Sequence, residues 1–187
     1  MSAILRQSYI EKIERYLGKD TIIILTGQRR IGKSYILRLF RDKVSKDAGA
    51  NVIFIDKEKH EFNDIKTYTD LNAYIDERRN KTKTNYVLVD EIQDIEEFEK
   101  SVRSYYEESD IEIVVTGSNS KMLSSDLSTL IGGRYKEIYI QALSYEEFMK
   151  FHQLKGSDET LAKYIQFGGL PGLVKMGLDE QDAREYQ

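Results

Sequence analysis

The sequence contains no cysteine and no tryptophan, and only one proline and two histidines in 187 residues. Lack of cysteine rules out disulfides and thiolate-bound zinc, and two lone histidines are too few to build another structural metal cage. A thiol-free chain fits a reducing, cytoplasmic setting. Uninterrupted apolar runs are only a few residues long, far below the roughly 20 needed to span a bilayer, and the N-terminus carries no apolar signal region. No membrane role is implied. Excess positive charge is missing too: 28 Lys and Arg stand against 32 Asp and Glu, a net charge of −4. The chain as a whole therefore lacks the basic footprint of a nucleic-acid binder. A local cluster of Arg78, Arg79, Lys81 and Lys83 reads as a solvated loop ahead of a strand. The 13 tyrosines are spread along the chain as ordinary amphipathic residues, not gathered as a stacking platform.

What is present describes a folded domain. Hydrophobic residues make up 40% and charged residues 32%, enough to bury one core beneath a well-solvated surface. Short β-branched runs at residues 21–26, 51–56, 86–90, 111–116 and 136–140 alternate with longer segments of helical period. That alternation predicts an α/β fold, a five-stranded parallel sheet sandwiched by helices. The middle runs are apolar almost throughout, as strands covered on both faces must be. Helical spacing places Ile36, Leu37, Phe40 and Val44 on one face of residues 33–46. It does the same for Ile95, Phe98, Val102 and Tyr105 in residues 94–107, with Asp94 as the N-cap. A leading helix over 4–17 carries Ile10, Ile13 and Leu17 on a stripe. After the fifth strand, Ser144 and Glu147 have the spacing of a capping box, with Tyr145, Phe148 and Phe151 on the apolar side. Residues 156–158 read as a turn, followed by a helix to Phe167, the pair Gly168-Gly169 and the single proline, Pro171. The expected division is a core over 1–155 and the start of a small helical lid over 156–187. The polar end, residues 179–187, has no stop signal, so the chain is expected to be cut from a longer protein.

Two motifs carry chemistry. Gly27-Gln28-Arg29-Arg30-Ile31-Gly32-Lys33-Ser34 fits G-x-x-x-x-G-K-[ST] and lies between an expected strand and an expected helix, where that motif must lie. Glycines let backbone amides turn inward around phosphate oxygens, and the helix N-terminus adds partial positive charge. Lys33 would reach the β- and γ-phosphates, and the Ser34 hydroxyl would ligate Mg2+. Tyr35, next in the chain, completes the expected nucleotide contacts. Arg29 and Arg30 either touch phosphate or are solvated loop residues. The second motif is Tyr86-Val87-Leu88-Val89 running into Asp90-Glu91, an apolar strand with an acidic end, expected beside the phosphate-loop strand. Asp90 would hold Mg2+ and Glu91 would activate a water for attack on the γ-phosphate.

With these motifs in place the sequence resembles the AAA+ P-loop ATPases, and within them a prokaryotic branch related to the signal-transducing ATPases. The matching segments are the loop with paired arginines, Asp90-Glu91-Ile92-Gln93, Thr116-Gly117-Ser118-Asn119, Leu130-Ile131-Gly132-Gly133-Arg134, Leu143 to Phe148, and Phe167-Gly168-Gly169-Leu170-Pro171. The resemblance implies that Ser118 or Asn119, at the end of the fourth strand, is the sensor 1 residue facing the γ-phosphate. It implies that Arg134 is either an arginine finger completing a neighbouring subunit's site or a structural arginine before the fifth strand. It puts Pro171 and its glycines near the adenine, at the start of the lid. No sensor 2 arginine can be assigned after Pro171, the nearest cation being Lys175. Members usually continue into a C-terminal domain.

Three functions follow as expectations. The first is an ATP- and Mg2+-dependent ATPase that uses turnover to move its lid, with homo-oligomer formation through Arg134. The second is a nucleotide-controlled switch that binds ADP or ATP, turns over little and presents a surface to DNA or protein. The third, a small-molecule phosphotransferase, lacks a visible acceptor pocket.

Overall fold

The computed structural model describes residues 6–117 and 132–171. Its elements run α1 (Gln7–Glu14), β1 (Ile22–Thr26), α2 (Lys33–Val44), β2 (Ala50–Asp56), α3 (Tyr68–Arg78), β3 (Thr84–Asp90), α4 (Phe98–Tyr105), β4 (Ile111–Thr116), β5 (Tyr135–Tyr139), α5 (Tyr145–His152) and α6 (Asp158–Phe167). Short 3-10 turns, His60–Phe62 and Ile92–Asp94, follow β2 and β3. The five strands form one sheet in the order β2-β3-β4-β1-β5, and every pairing is parallel.

Alternation along the strands explains why they are apolar throughout. Ile22 and Ile24, Ile53 and Ile55, Val87 and Val89, and Ile113 and Val115 face one side, packing with Leu71 and Ile75 of α3 and Val102 and Tyr105 of α4. Ile23 and Leu25, Leu88, Val114 and Ile138 face the other, against Ile10 and Ile13 of α1 and Ile36, Leu37 and Phe40 of α2. Each inner strand thus contributes to two cores. Because all strands are parallel, their C-terminal ends open on one edge, the place where such sheets gather ligands.

Four expectations change. The helix expected over 94–107 is shorter: Ile92–Asp94 is a 3-10 turn and α4 begins after Glu97, so Asp94 is not its N-cap. Ile95 is buried in the intervening extended residue. Helix α3 was unforeseen; Thr67 caps it by accepting from the Asp70 N–H while the Asp70 carboxylate accepts from the Thr67 N–H. The charged cluster is not a solvated loop throughout. Arg78 ends α3, and Arg79, only 13% exposed, pairs with Asp110 and Glu108 at the start of β4. Finally, β3 does not lie beside β1, because β4 stands between them. The Ser144 and Glu147 capping box forms as expected. Among the described residues no helix is long and apolar enough to cross a membrane.

Candidate functional site

Strand β1 delivers the glycine-rich loop to the C-terminal edge of the sheet. Gly27 has φ 141°, and a Cβ there would sit 2.5 Å from the Ile140 carbonyl oxygen. Only glycine lets the loop leave the strand this close to its β5 neighbour. Arg30 (φ 65°) and Gly32 (φ 100°) also take positive φ, which folds the backbone back on itself before α2 starts at Lys33. Gly32 is the N-cap and offers no side-chain acceptor, so the amides of the first turn of α2 are left for an anion. Lys33 is buried, and its ammonium donates to the carbonyls of Gly27 and Gln28 at 3.2 Å each, bridging the loop. Burial pulls its pKa below the ordinary lysine value, while Glu91 and Asp90 pull it back up.

The acidic end of β3 faces this cation. Asp90 is fully buried; its Oδ1 accepts from Thr116 Oγ1 at 2.5 Å, and Oδ2 has no hydrogen-bond partner among the described residues. Burial pushes its carboxyl pKa up, hydrogen bonds from Thr116 and Ser34 work against that, and the charges of Asp56 and Glu91 reinforce it. Glu91 follows with φ 54°, a strained value for a residue with a side chain. It is held there by its N–H donating to Thr116 Oγ1 at 2.9 Å and by Gln93 Nε2 donating to its carboxylate at 2.5 Å. One hydroxyl, at the end of β4, therefore holds the Asp90 carboxylate and the Glu91 backbone.

The structure brings most of the expected residues together. Gly27, Gln28, Arg29, Arg30, Ile31, Gly32 and Lys33 form the loop, with Ser34 in hydrogen-bonding reach of Asp90. Arg29 and Arg30 are solvent-exposed, and the Arg29 charge acts on Lys33. Pro171 joins them: a Cβ on Gly32 would lie 3.8 Å from its Cγ. Tyr35 stands in the first turn of α2, its hydroxyl buried without a partner among the described residues. Arg134 is not in this constellation. Its carbonyl accepts from the Ile22 N–H at the opposite end of β1, and its guanidinium engages the Tyr106 hydroxyl and Glu107. Ser118 and Asn119 lie outside the described residues, and β4 ends before them, at Thr116.

Two residues at the site were not singled out from sequence. Thr116 was visible only as part of a matching segment, although a hydroxyl closing an apolar strand is a usable signal. Asp56, buried at the end of β2 in register with Asp90, ends an apolar strand with a carboxylate just as Asp90 does.

The donor set suits a hard divalent cation with oxygen ligands. Asp90 Oδ2 is an orphaned buried acceptor, the Ser34 hydroxyl is beside that carboxylate, and among the described residues no group of three or more ligating side chains would form a closed protein cage. That is how Mg2+ is held with phosphates: one or two protein oxygens, the remainder from water and substrate.

Residues 19–149 match the family model described as the AAA domain. The chain belongs to the AAA domain family. This AAA domain is 33% identical over 176 residues to an uncharacterized protein of Haemophilus influenzae, covering 90% of the chain and 44% of that protein. It is 32% identical over 173 residues to an uncharacterized protein of Methanocaldococcus jannaschii, covering 87% of the chain and 38% of that protein. The chain thus spans less than half the length of these relatives. Among solved structures the AAA domain superposes on AMPPCP-bound DnaA from Aquifex aeolicus with a TM-score of 0.62 at 14% identity, covering 94% of this chain and 61% of that one. It superposes on the S. cerevisiae Hsp104-ADP complex with a TM-score of 0.66 at 15% identity, covering 98% and 31%. At that identity the likeness shows the AAA+ P-loop fold alone.

Proposed function

We propose that this AAA domain binds ATP with Mg2+ in the loop of residues 27–34 and hydrolyses it. The observation that carries the reading is the convergence of Lys33, Asp90 and Glu91 on one sheet edge, with the Asp90 Oδ2 acceptor buried and unpartnered among the described residues. Lys33 and the first-turn amides of α2 hold the β- and γ-phosphates. Ser34 and Asp90 would hold Mg2+, which supplies charge neutralisation across the phosphate oxygens when bound. Glu91, aimed by Thr116 and Gln93, accepts the proton of the attacking water. Nucleotide contacts extend to Gln28, Arg29, Arg30, Tyr35 and Pro171, and Ser118 or Asn119 faces the γ-phosphate. Arg134 is too far from its own loop to serve it and acts, if at the reaction, on a neighbouring copy. Residues 156–187 begin the lid that turnover moves. AMPPCP on DnaA and ADP on Hsp104, as those structures are described, support the choice of nucleotide.

The test is Mg2+-dependent phosphate release compared with Lys33→Ala and Glu91→Gln. Lys33→Ala should abolish binding of a fluorescent ATP analogue; Glu91→Gln should keep binding and lose turnover. Turnover unchanged by Glu91→Gln would remove that residue from its role. A second reading, a switch with little turnover, has in its favour the nearness of Pro171 to the loop at Gly32. It would be chosen if ATP binds tightly and no protein concentration yields phosphate.

A further inference from the structure

Arg6 precedes α1 and belongs to none of the motifs, yet it is 5% exposed and ties together three separate segments. Its Nη1 donates to the Ile31 carbonyl of the phosphate loop at 3.4 Å. Its Nη2 donates to the carbonyl of Gln141 at 2.7 Å and reaches that of Ala142 at 3.5 Å, where the chain leaves β5. Its Nε donates to Glu147 Oε1 at 3.2 Å, while the other oxygen of Glu147 caps α5 by accepting from the Ser144 N–H at 2.9 Å. The guanidinium lies 4.7 Å from the centre of the Tyr9 ring, and the Tyr9 hydroxyl accepts from the Gln141 N–H at 3.1 Å.

From Gln141 the connection runs on to the glycine-proline segment. The Leu143 N–H donates to the Gly169 carbonyl and the Tyr164 hydroxyl donates to the Leu143 carbonyl, both at 2.8 Å. A Cβ on Gly169 would collide with the backbone of Leu143, so this seam admits only glycine. Pro171, two residues later, lies near Gly32: a Cβ added there would sit 3.8 Å from its Cγ. The path is closed: loop, Arg6, residues 141–143, Gly169, Pro171, loop.

The geometry points to Arg6 as a positioning residue that couples the seating of the phosphate loop to the placement of α5 and α6. Ile31 lies between two residues of positive φ, Arg30 and Gly32. Its carbonyl must stay turned away from an incoming phosphate if the neighbouring amides are to face it. A buried cation on that oxygen holds it there, and the planar fork of the guanidinium carries any shift of the loop to Gln141 and Glu147. A lysine would supply the charge but not the fork. The coupling rests on the proposed nucleotide site and assigns the N-terminal segment a part in it.

The experiment measures binding of fluorescent ATP and ADP analogues, and hydrogen exchange with and without nucleotide, on the 187-residue chain and on Arg6→Lys, Arg6→Gln and Glu147→Gln. Glu147→Gln retains a side chain that can cap Ser144 and so keeps α5 folded while removing the ion pair. In the unaltered chain nucleotide should protect both residues 27–34 and residues 141–171. All three variants should keep protection of the loop and lose it at 141–171, and the two Arg6 variants should bind nucleotide about tenfold more weakly. If the variants melt earlier but still gain full protection at 141–171, Arg6 is only a structural anchor and the coupling is refuted. Failure of the unaltered chain to bind either nucleotide would overturn the nucleotide site itself, and the coupling with it.

Discussion

Under the proposed function Asp90 and Glu91 take different tasks in adjacent positions, and Thr116 touches both residues. Asp90 faces the buried cation Lys33 from a site without solvent, where an unpaired carboxylate is costly; Glu91 is turned by its positive φ into a half-exposed position. The Thr116 hydroxyl gives its proton to Asp90 and its lone pair to the Glu91 N–H, so a single group sets the spacing between the two. Thr116→Val preserves shape and removes both bonds, leaving the buried Asp90 Oδ1 without its Thr116 donor and the part-buried Glu91 N–H without its acceptor, at roughly 1–3 kcal/mol of stability. Turnover should fall about 10²-fold as Glu91 loses its aim, with nucleotide affinity little changed, and Thr116→Ser should recover most of the rate. A variant that loses affinity and keeps kcat would mean that Thr116 serves the fold of the loop and not the aim of Glu91.

At the scale of elements, the turn geometry of the glycine-rich loop, the five strands and the cap of α5 were legible because their residues obey local rules. Gly27 and Gly32 need positive φ, the apolar runs need two covered faces, and Ser144 with Glu147 has capping-box spacing; all three requirements act within a few residues. Helix α3 was not legible, because only Leu71 and Ile75 of it are buried and its cap uses Asp70 where Glu or Gln is the expected partner. The adjacency of β1 and β3 was misread since strand order depends on contacts far apart in sequence. Arg79 illustrates the same limit: a cation in a charged run looked solvated, and its partners lie about thirty residues on, at Glu108 and Asp110. That clamp holds the end of α3 to the start of β4, beside buried Asn85, whose amide donates to the Asp110 carbonyl and carboxylate. Hydrogen bonding to Arg79 holds the Asp110 carboxyl below the usual range. A carboxyl whose pKa is lowered by folding stabilises at pH above its unfolded value, and that contribution disappears as pH falls through the folded value. Asp110→Asn should therefore cost about 1–3 kcal/mol near neutrality, and the two proteins should converge in acid below the carboxylate range. Urea unfolding at about pH 7 and about pH 2 reads the difference; a gap that persists undiminished in acid would assign the effect to packing around Asn85.

On the scale of the whole molecule, the proposed function leaves Arg134 two places, on a neighbouring copy's site or in its own fold, and concentration separates them. It stands at the start of β5, and a five-residue strand rises about 3.3 Å per residue, so roughly 16 Å of sheet separates it from the loop at the other end. Its own subunit gives it only a mild hold: it is 58% exposed, stacked 5.0 Å from the Tyr106 ring centre and 3.6 Å from Glu107, an exposed pair of the kind that contributes little to stability. Arg134→Ala should therefore leave folding and ATP affinity nearly intact. If copies of the chain complete one another's sites, specific activity should climb with protein concentration, and the variant should stay at the low-concentration rate because no cation reaches the neighbour's γ-phosphate. Mixing the variant with excess Glu91→Gln sharpens the result: the variant has an intact Glu91 and the second protein an intact Arg134, so activity above the low-concentration rate should reappear in the mixture though neither protein alone exceeds that rate. Activity independent of concentration, with Arg134→Ala behaving like the unaltered chain, would return Arg134 to a structural place beside Tyr106 and make the domain self-sufficient.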